Sequence, residues 1–290
     1  MRAWRLHIGH GRRAAIGIRQ RIALTGPVVV MFTSLRDLLR PRSSQQPPSV
    51  PQGERYYAIG DVHGRSDLLA QLIDRIEADD AEAGPADTTV IMLGDLVDRG
   101  HDSAGVIEQV MAWAGRRRVR CLAGNHEEMF LQAFRDETRL RTFVKHGGRE
   151  TILSYGIPVA EYNALTVGEL LARLPSLVPV RHREFLQGFE EYIVAGDYVF
   201  VHAGIRPNRP LEEQDRESLL WIRESFIKHT APHSHVVVHG HTIVEDAADY
   251  GNRIAIDTGA YRTGRLTALV LEGAGRRYLE AADRGDAAAA

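Results

Sequence analysis

Short apolar runs alternate with helically spaced apolar residues along the first half of this 290-residue chain. Three continuous apolar runs predict buried strands, at 56–61, 88–94 and 117–124. Apolar residues that recur every three or four positions predict helices, at 66–78, 103–114 and 126–134. Strands that alternate with helices in this order predict a parallel sheet with right-handed crossovers.

The second half of the chain has a different pattern. Residues 137–190 are helical and irregular by spacing, whereas the last third contains short apolar runs separated by turns. These runs predict further strands, within 191–204, 235–242, 253–259 and 266–273. An α/β first half followed by a strand-rich second half predicts two packed sheets with helices outside, in one α/β domain of about 220 residues.

Charge is distributed unevenly along the chain. Residues 1–50 hold nine Arg, no Lys and one acidic residue, a sum of +8. The whole chain carries −2, so the remaining 240 residues sum to −10. That acidic body lacks the basic groove that a phosphate backbone requires, which argues against nucleic acid as a partner.

The N-terminal stretch is expected to lie outside the folded domain. The apolar run 22–33 follows several arginines, as in an export signal, but no clean small-residue cleavage site follows it. It is also too short and too interrupted by Gly and Pro for a membrane span. Met31 offers an alternative start, and residues 40–53 have the Pro- and Ser-rich composition of a linker. We therefore expect three parts: a basic extension over 1–53, a catalytic domain over 54–275 and a tail over 276–290.

The single cysteine, Cys121, lies in a short apolar run, where a packed thiol is expected. One cysteine excludes a disulfide within the chain. That fits a reducing compartment and favours a cytoplasmic location over export, which stays open as the second interpretation.

Five predicted strands end in motifs that combine glycine with Asp, Asn or His. They are GDVHG (60–64), GDLVDRG (94–100), GNHE (124–127), HAG (202–204) and HGHT (239–242). Ligands of α/β sheets gather at the carboxyl ends of strands, and side-chain alternation points Asp61 and His63 the same way. Any one motif is equally well explained as a turn or a helix cap, but five together predict a divalent metal centre.

These motifs, taken in order, resemble the bacterial branch of the phosphoprotein phosphatase family of calcineurin-like metallophosphoesterases. The resemblance runs from about Tyr56 to about Leu271, and GDLVDRG is its most specific element. It implies a four-layer α/β/β/α sandwich with two metals above it. It also implies a hydroxide, activated by both metals, that attacks phosphorus in line.

The resemblance assigns a role to each polar residue of the motifs. Its metal ligands are Asp61 and His63 on the first metal, Asn125, His202 and His241 on the second, and Asp95 bridging both. Manganese is expected, with iron or zinc as alternatives, because the ligands are oxygen and nitrogen atoms without a thiolate. His239 is a second candidate for the place of His241, with a packing or supporting role otherwise.

The same resemblance makes His126 the general acid and Asp98 the residue that orients it. Arg99, Arg223 and Asn125 would bind the phosphate, since guanidinium groups grip phosphate oxygens in pairs. Each has a plainer interpretation: a surface arginine after a turn for Arg99, a solvated or stacking residue for Arg223, and a helix N-terminal residue for His126.

Other conspicuous side chains are expected to be structural. Trp113 and Trp221 stand at helical apolar positions and are predicted to lie in the core. Glu127 and Glu128 would complement a helix N-terminus, with support of His126 as an alternative role for Glu127. Five histidines without evident partners are predicted to be surface or packing residues: His146, His182, His229, His233 and His235.

Hydrolysis of phosphoserine or phosphothreonine in a protein is the leading functional hypothesis. The alternatives are symmetrical cleavage of diadenosine tetraphosphate, hydrolysis of phosphotyrosine or small phosphoesters, and a catalytically silent phosphoprotein-binding module. The DRG of GDLVDRG favours the protein phosphatase, and the complete ligand set argues against a silent module. IDTGAYRTG (256–264) replaces the Ser-Ala-Pro-Asn-Tyr segment of the eukaryotic branch, so strict Ser/Thr preference does not transfer. Residues 137–190 are expected to overhang the site and decide the substrate.

Overall fold

A computed structural model describes residues 47–283 of the chain. The predictions about residues 1–46, Met31 among them, and about 284–290 therefore lie outside the described residues. No helix within 47–283 has both the length and the apolar character that crossing a membrane requires.

Ten strands form two five-stranded sheets within the described residues. They are β1 (Glu54–Ile59), β2 (Asp87–Met92), β3 (Val119–Cys121), β4 (Tyr192–Ala195), β5 (Tyr198–Val201), β6 (Val236–His239), β7 (Ala248–Asp249), β8 (Arg253–Ala255), β9 (Arg265–Glu272) and β10 (Gly275–Ala282). The first sheet has the order β10-β9-β1-β2-β3, with β1, β2 and β3 parallel. The second has the order β4-β5-β6-β8-β7, with β5, β6 and β8 parallel.

Helices connect and cover these strands. They are α1 (Ser66–Ala83), α2 (Ser103–Ala114), α3 (Asn125–Ala133), α4 (Glu137–Phe143), α5 (Arg149–Ser154), α6 (Val159–Ala164), α7 (Val167–Leu177), α8 (Val180–Gln187), α9 (Arg216–Trp221), α10 (Glu224–Ile227) and α11 (Ala260–Thr263). A kinked segment, Val144–Gly148, joins α4 to α5, and a short 3-10 turn covers Leu211–Glu213. Helices α4 to α8 account for the middle region that was predicted to be helical and irregular.

Alternate side chains of one strand point to opposite faces of the sheet and pack in separate hydrophobic cores. In β1, Tyr57 and Ile59 pack with α1 and α2, whereas Ala58 faces the second sheet. In β5, Phe200 packs between the sheets and Val199 packs against α9 and α10. The layers are therefore helices, sheet, sheet and helices, which confirms the predicted four-layer fold.

The ordered body extends beyond the predicted domain bounds at both ends. Val50 is buried, and its N–H donates to the carbonyl of Gly273 at 2.9 Å, so part of the predicted linker packs on the body. Strand β10 pairs with β9 from Gly275 to Ala282, although residues from 276 onward were predicted to be a tail. Its sequence, GRRYLEAA, contains three charged residues, as suits the edge strand of a sheet, and only Ala281 is buried.

The two tryptophans have different environments. Trp113 is fully buried, as predicted, and its Nε1–H donates to Glu77 at 2.6 Å. The prediction that Trp221 lies in the core is wrong, because 38% of its surface is exposed. Trp221 is the last residue of α9, a helix of only six residues, so no neighbouring element covers its side chain fully. Cys121 is a buried free thiol, as expected.

Candidate active site

Six residues predicted as metal ligands come together at the carboxyl ends of the central strands. Asp61 and His63 follow β1, Asp95 follows β2, Asn125 starts α3 after β3, His202 follows β5, and His241 follows β6. All six are buried. The parallel strands of both sheets deliver these side chains to one place, which is the geometry that open α/β sheets use for ligand binding.

Asp95 lies between two groups of potential metal ligands. Its Oδ2 atom is 3.6 Å from Nε2 of His63 and 3.5 Å from Nε2 of His202. The ligand atoms of His63, Asp95 and His126 lie within 4.8 Å of one another, and so do those of Asp95, His202 and His241. A carboxylate shared by both groups is what a bridging ligand between two cations requires.

The histidines present unprotonated Nε2 atoms to this centre. Nδ1–H of His63 donates to the carbonyl of Val97 and Nδ1–H of His202 donates to that of Leu93, each at 2.8 Å, so Nε2 is the unprotonated nitrogen of each ring. Nε2 of His241 is buried and has no hydrogen-bond partner among residues 47–283. Burial lowers the pKa of His63 to about 3 and that of His241 to about 2, so both rings are neutral, as metal ligation demands.

Three buried carboxylates concentrate negative charge at the same point. Burial, followed by the charges of Asp257 and Asp95, raises the pKa of Asp61 well above its usual value. Burial also raises the pKa of Asp257 to about 6. The carboxylate of Asp61 accepts the backbone N–H of His241, with N–O distances of 3.2 and 3.1 Å. This bond and the charge of Arg99 lower the pKa of Asp61, but they do not outweigh burial. Divalent cations fit such a donor set. Their positive charge stabilises the ionised carboxylates, which burial deprives of solvation by water.

Asp257 is a site residue that the sequence analysis missed. It follows β8 in the stretch IDTG, and its Oδ1 accepts the N–H of Gly259 at 2.9 Å. An aspartate near a glycine at the end of a parallel strand indicates a site residue here, because the motifs after the other strands also combine glycine with Asp, Asn or His. IDTG departs from the eukaryotic segment but keeps this combination of aspartate and glycine.

Asp98, Arg99 and His126 form a connected group beside Asp95. Nδ1–H of His126 donates to Oδ2 of Asp98 at 2.6 Å. The guanidinium of Arg99 donates to Nε2 of His126 at 2.8 Å and to Nε2 of His63 at 2.7 Å. Burial lowers the pKa of His126, but the charges of Asp95 and Asp98 outweigh burial and raise it overall. A raised pKa suits a histidine that must carry a proton at neutral pH.

Arg223 approaches from the second sheet. It lies between α9 and α10 and is exposed. Burial is the main cause that lowers the pKa of His202 and His241, and the positive charge of Arg223 lowers both further. The edge of the Trp221 ring lies beside His241, with the ring centroids 6.3 Å apart. A cavity of about 560 Å³ opens here, lined in part by Arg206, Pro207, Ser218, Trp221, Ile222 and Arg223.

His241 and His239 have different positions. His241 joins Asp95 and His202, as described above, whereas the ring of His239 packs edge-on against Phe226 with centroids 5.0 Å apart. Burial lowers the pKa of His239 to about 3. Of the two candidates, His241 is therefore the one placed to bind a cation.

Glu127 holds the loop that follows β2. Its carboxylate accepts the backbone N–H groups of Asp95 at 2.8 Å, Leu96 at 2.7 Å and Val97 at 3.3 Å, as well as that of Gly124 at 3.0 Å. The sequence analysis expected a residue at a helix N-terminus, which Glu127 is, or a support for His126. The structure adds that the same side chain shapes the loop that carries Asp95.

The backbone of the site is strained. Left-handed φ angles occur at six non-glycine residues of the described chain, and five of them belong to the motifs: His63 (46°), Asp95 (49°), Asp98 (74°), Arg99 (69°) and His241 (60°). Such conformations cost free energy in L-residues and persist where the surroundings enforce them. Close approach of two loops is part of that enforcement, since a Cβ on Gly100 would lie 2.0 Å from the carbonyl oxygen of His63.

Fold and site together define a metal-dependent phosphoesterase. The sequence pattern of the calcineurin-like phosphoesterase family matches residues 54–262, so the chain belongs to that family and is a hydrolase of phosphoric esters. Serine/threonine-protein phosphatase 1 of Salmonella typhimurium is 28% identical over 236 residues, which cover 79% of this chain and 98% of that protein. The asymmetrical bis(5'-nucleosyl)-tetraphosphatase PrpE of Halalkalibacterium halodurans is 29% identical over 234 residues, or 73% of this chain and 87% of that protein.

Solved structures share the fold. A crystal structure provisionally identified as a diadenosine tetraphosphatase has a TM-score of 0.57 and 19% identity, and covers 82% of this chain and 100% of its own. A protein serine/threonine phosphatase from Saccharomyces cerevisiae has a TM-score of 0.52 and 14% identity, with coverage of 83% and 85%.

Replacing Glu127 by Gln should destabilise the protein. A Gln side chain turns its NH₂ group toward one of the N–H donors that Glu127 now accepts, which leaves a buried donor unpaired at a cost of about 1–3 kcal/mol. Urea unfolding monitored by circular dichroism measures the change. Glu128→Gln is the control, because Glu128 is partly exposed and pairs with Arg216 at the surface, where such a pair contributes about 0–1 kcal/mol. Equal losses in both variants would contradict the role given to Glu127.

Proposed function

We propose that this chain is a two-metal phosphomonoesterase that acts mainly on phosphoserine and phosphothreonine in proteins. The observation that carries the proposal is the position of Asp95, which is shared by two groups of buried potential ligand atoms. His126 belongs to one of these groups and is contacted by Asp98 and Arg99. A double cation site beside an arginine and an acidic histidine is what hydrolysis of a phosphate ester requires.

The proposed ligands are those named from the sequence. Asp61, His63 and Asp95 would hold one cation, and Asp95, Asn125, His202 and His241 the other. Asn125 fits this role because its Oδ1 lies 2.9 Å from Nε2 of His202. When bound, two such cations neutralise charge on the phosphoryl group and acidify the attacking water. Manganese is the proposed metal, with iron or zinc as alternatives for the same oxygen and nitrogen donors.

The protein's own groups position the ester and supply the proton. Arg99 lies between His63 and His126, where it can exchange its contacts with these rings for phosphate oxygens. Arg223 would bind the phosphate from the side of the second sheet, and Asn125 would add a contact from its amide. Asp98 holds Nδ1 of His126, so Nε2 is the atom that would deliver a proton to the leaving alcohol. Nε2 accepts from Arg99 in this structure and would be protonated once Arg99 has turned to the phosphate.

Two features support the choice of a phosphoprotein substrate. The GDLVDRG motif resembles the protein phosphatases, and the Salmonella relative, a serine/threonine phosphatase, aligns over nearly its whole length. A cytoplasmic location is proposed with it, since the one cysteine is a buried free thiol.

A dinucleoside tetraphosphate is the second candidate substrate. The PrpE relatives carry the name of an asymmetrical tetraphosphatase, whereas the sequence analysis considered symmetrical cleavage. The exposed Trp221 supports this candidate, because an indole face beside a cavity with two arginines can stack a nucleobase.

Asp95→Asn should abolish turnover and reduce the metal content together. An amide bridges two cations far less well than a carboxylate, since it lacks the negative charge and has only one oxygen. Metal analysis of the purified protein and hydrolysis of para-nitrophenyl phosphate measure the two effects. Asp246→Asn, which changes an exposed residue paired with Arg265, should leave both unchanged. Normal activity in Asp95→Asn would refute the bridging role.

His126→Asn should retain both metals and still lose most of kcat. The loss should be about 10²–10⁴-fold for a phosphoserine peptide, whose alkoxide leaving group needs a proton. It should be much smaller for para-nitrophenyl phosphate, whose leaving group departs as an anion. Steady-state kinetics on the two substrates separate these cases. An equal loss on both would remove His126 from the role of acid.

The substrate is tested by assaying phosphoserine peptides beside diadenosine tetraphosphate with the same enzyme and metal. We expect a higher kcat/KM for the peptides, and Trp221→Ala should leave that value within a few-fold. Preference for the tetraphosphate, lost in Trp221→Ala, would select the second candidate instead. Chromatography of the nucleotide products would then distinguish asymmetrical cleavage, to a triphosphate and a monophosphate, from symmetrical cleavage to two diphosphates.

A further inference from the structure

The segment Gly147–Thr151, sequence GGRET, contacts the loop that carries Asp98 and Arg99. It ends the kinked segment Val144–Gly148 and begins α5. This stretch lies in the helical region between the two halves of the fold. None of its residues is a proposed metal ligand, phosphate-binding residue or general acid. Its contacts nevertheless reach two of the catalytic residues directly.

Gly147 forms a backbone hydrogen bond to Arg99, and its lack of a side chain leaves room for Arg99 to approach closely. Its carbonyl oxygen accepts the backbone N–H of Arg99 at 3.1 Å. A Cβ at this position would lie 2.8 Å from Cγ of Arg99 and 3.1 Å from its N atom. Gly147 also has a φ of 106°, which a residue with a side chain rarely adopts. The place of Arg99 therefore depends on a glycine here.

Thr151 contacts Asp98 through its hydroxyl group. The hydroxyl donates to Oδ1 of Asp98 at 2.6 Å and accepts the backbone N–H of Asp98 at 2.9 Å. Thr151 is fully buried, so water does not compete for these bonds. The other carboxylate oxygen of Asp98 accepts from His126. One hydrogen-bonded chain therefore runs from Thr151 through Asp98 to His126.

We propose that Gly147 and Thr151 are positioning residues for catalysis: Thr151 orients the carboxylate that holds His126, and Gly147 sets the position of Arg99. The inference rests on the proposed roles of Asp98, Arg99 and His126. Asp98 and Arg99 both have left-handed backbones, which their own residue types do not favour. Contacts from outside the loop must therefore maintain that conformation, and GGRET supplies three of them.

Thr151→Val and Thr151→Ser test the first half of the proposal. Valine has the shape of threonine without the hydroxyl, and the N–H of Asp98 keeps a partner because it also donates to Ser103 at 3.0 Å. Loss of a supporting hydrogen bond of this kind costs on the order of 10–100-fold in activity. We expect that loss in kcat for phenyl phosphate, a smaller loss for para-nitrophenyl phosphate, and recovery of most activity in Thr151→Ser.

This pair of substrates separates positioning from general destabilisation. Phenyl and para-nitrophenyl phosphate have nearly the same shape and differ in how much their leaving groups need a proton. Equal losses on both, or no recovery with serine, would overturn the role of Thr151. Neither substrate is a protein, so the comparison stands even if phosphoproteins prove not to be substrates.

Gly147→Ala and Gly156→Ala test the second half. Gly156 also has a left-handed backbone, with a φ of 86°, but no atom outside its chain neighbours lies within 4 Å of where its Cβ would be. Both variants should lose thermal stability through backbone strain, and Gly147→Ala should lose more because its methyl group also meets Arg99. Only Gly147→Ala should bind inorganic phosphate more weakly, by about 10-fold, because only there does the new methyl group displace Arg99.

Competitive inhibition by inorganic phosphate measures this effect, with metal content and melting temperature recorded for both proteins. Unchanged phosphate inhibition in a folded, metal-loaded Gly147→Ala, or equal weakening in Gly156→Ala, would overturn the role of Gly147. If Gly147→Ala does not fold, Arg99→Lys and the two Thr151 variants test the proposal instead. An unchanged affinity for phosphate in Arg99→Lys would show that Arg99 does not bind phosphate, and its position would then need no support from Gly147.

Discussion

The structure depends on the burial of like charges at one point. Asp61, Asp95 and Asp257 lie together beneath the surface, and burial alone raises the free energy of their ionised forms. The free-energy cost of bringing Asp61 and Asp257 together can be offset by protonation, as their raised pKa values indicate, or by a bound cation. The neutral histidines around them direct unprotonated Nε2 atoms toward the same space, an arrangement that suits cations. The strands of the two sheets hold these carboxylates at one point.

A second constraint follows, because the loops that carry the ligands are strained. Left-handed residues occur after β1, β2 and β6, next to the atoms that would touch a metal or a phosphate. Glu127 holds one loop from below through its backbone N–H groups, and Thr151 holds the same loop from the side of α5. The site is therefore maintained by contacts from elements distant in sequence. Such preorganisation lets charged groups meet a transition state without rearrangement during the reaction.

The surroundings of the centre differ on its two sides. On the side of the first sheet, Arg99 is enclosed by His63, His126 and the GGRET segment. On the side of the second sheet, Arg223 and Trp221 border an open cavity. The enclosed side is suited to the phosphoryl group, which all candidate substrates share, and the open side to the group that the phosphate is attached to. Under the proposed function, we therefore expect residues on the second side to influence substrate choice, in addition to the region 137–190 named from the sequence.

The sequence by itself determined the layers and named most of the candidate site residues. The change from alternating strands and helices to strands alone predicted two sheets, and the motifs after five strands named Asp61, His63, Asp95, Asn125, His202 and His241. The two sheets are confirmed and these six side chains lie close together, because periodicity and strand ends are local properties of the chain. Only the tertiary structure brought Asp257 to Asp61, placed Glu127 under the loop after β2, joined Thr151 to Asp98 and left Trp221 exposed. Each of these facts depends on how loops from separate elements meet in space, and neither spacing nor composition records such long-range contacts.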